Sequence, residues 1–155
     1  LLFLINYAFN FMFAEKIGGL IGKFGERRAL TFEYVGLILV FVAYGLVENA
    51  SIAAFLYVLD HMFFALAIAI TTYFQKIADP KDMASNAGVS FTINHIAAVV
   101  VPALLGLVWI WSHSLVFYIG AIFALLSLIA AQFIPKSPAP NQETRISFRS
   151  KVIES

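Results

Sequence analysis

Five apolar runs of about twenty residues, each ended by a short polar break, constrain this chain more than any other feature. A hydrocarbon core about 30 Å thick is crossed by about 20 apolar residues in helical form, and in lipid every backbone N–H and C=O must be satisfied within the segment itself. The runs cover residues 1–22, 29–47, 51–75, 85–111 and 114–134, separated by GKFGERR at 22–28, ENA at 48–50, KIADPKD at 76–82 and SHS at 112–114. Connections this short force neighbouring helices to run antiparallel. The expected fold is an all-α membrane protein, a polytopic bundle of five transmembrane helices over residues 1–135. A polar cytoplasmic tail follows at 136–155, where Pro138, Pro140 and scattered Ser and charge predict disorder.

Composition excludes the main alternative. The 155 residues are 61% hydrophobic and 12% charged, against about 25% charged in a soluble domain, so too little polar surface exists to cover a water-exposed globule. A net charge of +1 gives no field that recommends nucleic acid as a partner, and with no Cys there are no disulfides. The chain opens inside an apolar run, without an initiator Met, a basic leader region or a cleavage site. The expectation is therefore a C-terminal piece of a longer protein, with the N-terminal part of the same protein as its partner alongside the lipid bilayer.

Charge in the loops sets the expected orientation, because the cytoplasmic side holds the excess of Lys and Arg. Lys23, Arg27, Arg28, Lys76, Lys81, Lys136, Arg145, Arg149 and Lys151 fall on one side, and the two opposite loops hold neither residue type. The C-terminus is thus expected in the cytoplasm, with the chain multi-pass in the cell (inner or plasma) membrane.

Ionisable groups at bilayer depth cost about 2.5–3.5 kcal/mol each on insertion scales, so each needs a partner or a task. In the third run Asp60 and His61 lie ten residues from the outer end, about 15 Å deep, with Thr71 and Gln75 further down the same stripe. His95 is equally deep in the fourth run, beside the i, i+4, i+8 series Asn86, Ser90 and Asn94 and ahead of Pro102. The first run adds the i, i+4 pair Asn6 and Asn10. Such polar stripes serve either as interhelical glue or as the lining of a cavity. The second and fifth runs have few mid-depth polar residues and read as lipid-facing scaffold. Lys16 is placed to snorkel to the interface, while Glu15 faces a neighbour.

The first basic loop reads Gly18-Gly19-Leu20-Ile21-Gly22-Lys23-Phe24-Gly25-Glu26-Arg27-Arg28. It resembles the G-x-x-x-D-R-x-G-x-R-R signature of the major facilitator superfamily of secondary transporters, with Gly18 as first glycine, Lys23 as first cation, Gly25 as turn glycine and Arg27 with Arg28 as closing pair. Gly22 departs from the pattern, standing where the acidic residue belongs. The resemblance implies a 6+6-helix fold of which these runs are about the eighth to twelfth helices, and a cavity between two halves that rock to expose it alternately. It further implies transport of a small-molecule or ion substrate, with Asp60 and His61 binding a coupling proton or substrate cation. Asn6, Asn10, Asn94 and His95 would then bond the substrate, and Gly88 and Pro102 would permit bending.

Two other classes compete. A membrane receptor or assembly subunit would use the same stripes purely as packing. An intramembrane enzyme would require motifs such as H-E-x-x-H or G-x-S-x-G, neither of which is present, so no catalytic residue, cofactor or metal ligand is assigned.

Overall fold

The computed structural model describes residues 2–139 and 144, so most of the tail expected to be disordered lies outside the described residues, as does the side chain of Asn10. Six helices and one 3-10 turn follow in order: α1 (Leu2–Phe24), α2 (Glu26–Leu46), α3 (Ala50–Phe64), the turn Ala65–Ala67, α4 (Ile68–Ile77), α5 (Met83–Trp111) and α6 (His113–Ala131). The described residues contain no strand. Four segments are long and apolar enough to cross a membrane: Glu26–Leu46, Ala50–Ile77, Met83–Trp111 and His113–Ala131. This is a helical membrane protein. The fifth expected span, α1, has the length at 23 residues, but Asn6, Asn10, Glu15 and Lys16 dilute its apolar character below that of the other four.

The loop expected at 22–28 shrinks to one residue, since α1 continues to Phe24 and α2 starts at Glu26. Gly25 makes this possible with φ +85 and ψ 148, a backbone conformation that L side chains rarely adopt, while its N–H still closes α1 on the Ile21 carbonyl at 2.8 Å. The nearest atom to a side chain built there is the Lys136 carbonyl oxygen at 3.9 Å, so space is not the constraint and the backbone is. Gly25→Val is therefore expected to lower stability by about 1–3 kcal/mol, read as a fall in the unfolding midpoint of the detergent-purified protein. An unchanged midpoint would show that the α1–α2 junction relaxes freely.

The remaining junctions are closed by side-chain caps. Asn49 Oδ1 accepts from the Ser51 and Ile52 amides at 2.9 and 3.3 Å to start α3. Ser112 Oγ accepts from the Leu115 amide at 3.3 Å to start α6.

The second helix is the hub, which corrects its reading as lipid-facing scaffold. Its buried residues Glu26, Leu30, Glu33, Gly36, Leu37 and Val40 recur at three- and four-residue steps, and it packs on α6 most extensively, then on α3, α4 and α1. Close approach relies on glycine: a Cβ at Gly36 would overlap the Phe63 ring, and one at Gly45 would come within 2.5 Å of Tyr118. Ile21, Leu30, Ala69 and Ala131 form the common core of α1, α2, α4 and α6. By contrast α5 has no buried residue and packs on α6, where Trp109 meets His113 and Phe117 with ring centroids 6.0 Å apart. It runs as unbroken helix through Pro102.

Candidate functional site

On α3 the aromatic residue one turn before a histidine fixes the imidazole. His61 Nδ1 lies 3.0 Å from the Tyr57 carbonyl oxygen, an acceptor only, so Nδ1 carries the hydrogen and Nε2 is left for another partner. The same Nδ1 is 3.5 Å from Asp60 Oδ2, and the Tyr57 and His61 rings lie 4.3 Å apart. The side chains of Asp60 and His61 are both partly exposed.

Neighbouring helices add to this group. Phe3 of α1 meets the Tyr57 ring edge-on at 5.8 Å, and Asn6, one turn further along α1, is only 5% exposed. From α2, Tyr44 donates to the Ala53 carbonyl at 3.3 Å and stands within electrostatic reach of Asp60 and Tyr57. The Tyr57 hydroxyl is buried and has no hydrogen-bond partner among the described residues. A buried hydroxyl left unpaired costs about 1–3 kcal/mol, so Tyr57 is a donor in need of an acceptor. Sequence alone gives Tyr44 and Tyr57 no role of their own, although Tyr57 lies one helical turn before Asp60 and His61.

On α5 the same local geometry recurs. His95 Nδ1 lies 2.9 Å from the Phe91 carbonyl oxygen with the rings 3.8 Å apart, and Asn94 precedes His95 as Asp60 precedes His61. Within this chain, however, the two groups are not brought together. Ser90, Asn94 and His95 are exposed on a helix that packs on α6, so this polar stripe, at the depth of Asp60, is open. Gly88 is open on the same helix, where its carbonyl accepts from Thr92 Oγ1 at 3.0 Å. Thr71 and Gln75, expected further along the stripe of Asp60, are exposed on α4 beyond the 3-10 turn.

A second carboxylate was underread from the sequence. Glu33 lies seven residues into α2 and is 2% exposed, and its Oε2 has no hydrogen-bond partner among the described residues. The spacing Glu26, Leu30, Glu33, Leu37, Val40 already places it on the same helix face as three large apolar residues. Antiparallel pairing fixes its level: Gly36 sits against Phe63 and Glu26 against Lys76, so Glu33 stands opposite the 3-10 turn Ala65–Ala67 and the start of α4. A short 3-10 stretch within a long helix marks a place where the helix can change pitch.

The loop motif lies at the other end of the bundle. Arg27 Nη2 donates to Gln132 Oε1 at 3.1 Å, Gln132 Nε2 donates to Thr31 Oγ1 at 3.0 Å, and Thr31 Oγ1 donates to the Arg27 carbonyl at 2.7 Å, joining α2 to the end of α6. Gly18 has open space around it, and Lys23 lies in the last turn of α1. Among the described residues no three His, Asp or Glu side chains gather as a metal site. Comparison with known protein families, curated proteins and solved structures finds no match.

Proposed function

We propose that this chain is part of a secondary transporter of the major facilitator type, which moves a small solute through the cell membrane by alternating access coupled to protons. The observation that carries the reading is the Asp60–His61 pair, held at 3.5 Å ten residues into a membrane-spanning segment beside the unpaired Tyr57 hydroxyl. A carboxylate and an imidazole in contact at that depth can exchange a proton with each other and with a bound solute, and intramembrane ionisable groups mark such pathways. Asn6, Asn10, Asn94 and His95 supply hydrogen bonds to the solute, the last two from the open face of α5. The N-terminal part of the same protein covers that face, and the Lys- and Arg-rich end, with the C-terminus, lies in the cytoplasm.

Transport driven by an imposed pH gradient tests the reading. A one-unit gradient stores about 1.4 kcal/mol per proton, enough for about tenfold accumulation at one proton per solute. Membrane vesicles holding the product of the whole reading frame should accumulate at least one member of a broad solute library to about that level. A protonophore should abolish the accumulation. If no solute in the library responds to the gradient, the transport reading fails.

A further inference from the structure

Where α2 begins and α6 ends lies an open recess of about 680 Å³ lined by Arg27, Arg28 and Lys136 together with Gln132, Phe24 and Phe32. Three cations face it and no carboxylate does. The nearest acidic residue in sequence, Glu26, is turned away and buried in an ion pair with Lys76, so it cannot neutralise them. Arg28 and Lys136 have no ion-pair partner among the described residues, and Arg27 is held in place by its bond to Gln132. The aromatic side chains Phe24 and Phe32 are exposed beside these charges, at the end of a membrane-spanning helix.

Paired guanidiniums and an ammonium around an open space match the oxygens of a phosphate group, and exposed phenyl rings next to them match hydrocarbon. From this juxtaposition we infer that the recess binds the phosphate of an anionic phospholipid, with the acyl chains running down the Phe24 and Phe32 side. A free phosphate shares the headgroup chemistry but has nothing to place against the rings. Anionic lipids are concentrated at the membrane surface, where a basic recess between helices meets them. This site is independent of the proposed transport path and stands whether or not the chain moves a solute.

The test is the melting temperature of the purified protein in a neutral maltoside detergent, titrated separately with dioleoyl phosphatidylglycerol, dioleoyl phosphatidylcholine and inorganic phosphate. The anionic lipid should raise it by about 3 °C or more, and the other two should not. The double variant Arg28→Ala/Lys136→Ala should lose the rise, the charge-preserving Arg28→Lys/Lys136→Arg should keep it, and Lys81→Ala, which removes a cation away from the recess, should keep it too. Both replaced side chains are exposed, so lipid-free stability is expected to be unchanged. An equal rise with the zwitterionic lipid, or one that survives in the alanine double variant, overturns the proposal. So does a loss of equal size in Lys81→Ala, which would reveal general charge attraction. A rise with inorganic phosphate as large as with the lipid would assign the recess to a free anion instead.

Discussion

Asp60→Asn is expected to reduce pH-gradient-driven accumulation of the solute from about tenfold to none, while exchange of labelled for unlabelled solute across the same membrane continues. The amide keeps the size of the carboxylate and can still accept a hydrogen bond, but it cannot take up a proton between pH 4 and 9. Solute can then equilibrate through the site without being pulled by protons. His61 alone does not replace the carboxylate, because its Nδ1 hydrogen is already committed to the Tyr57 carbonyl. Accumulation and exchange falling together would mean that Asp60 holds the bundle or the solute rather than the proton. Unchanged accumulation would remove Asp60 from the proton path altogether.

The largest effect on stability is expected from Lys76→Met. Its ammonium pairs at 2.5 Å with Glu26, which is 2% exposed, so the substitution strands a carboxylate with neither water nor a counter-ion. Removing one partner of a fully buried ion pair costs about 3–5 kcal/mol, most of it the penalty on the charge left behind; Lys76 is half exposed, so the lower end, about 3 kcal/mol, is expected here. The double change Glu26→Gln/Lys76→Met removes both charges and should recover stability to within about 1–2 kcal/mol of the parent. Unfolding midpoints of the parent and the two variants in one detergent decide the matter. A single variant within about 1 kcal/mol of the parent would show that Glu26 finds water or another cation.

Helix and membrane were legible because they follow from the length of the apolar runs and the obligation to satisfy backbone groups in lipid. Which helix sits at the centre was not. In water, burial leaves a polar face as its counterpart; in lipid, a residue packed on a neighbour and a residue facing acyl chains are both apolar, so α2 looked like scaffold. Its distinguishing marks are the small residues Gly36 and Gly45, which admit Phe63 and Tyr118, and the two buried carboxylates Glu26 and Glu33 on the face they share with Leu30 and Val40. Polar stripes show that a helix face wants a partner but not which partner. Hence the sequence pointed to Asp60, His61 and His95 at one depth, and the chain as folded packs α1 and α2 beside the first two while leaving the third open. Tyr57 has no legible role in the sequence because a tyrosine in an apolar run reads as core until its hydroxyl is found without an acceptor.

The one-residue link at Gly25 also bears on how the protein is made. With Glu15 and Lys16 side by side, α1 is a poor substrate for the insertion machinery, each charge adding about 2.5–3.5 kcal/mol near the middle of a helix. Glu26–Leu46 carries a single carboxylate, Glu33, within its apolar stretch and emerges from the ribosome directly behind it. Because nothing longer than a single glycine separates them, α1 is held at the membrane as soon as α2 partitions, and the second to be synthesised positions the first.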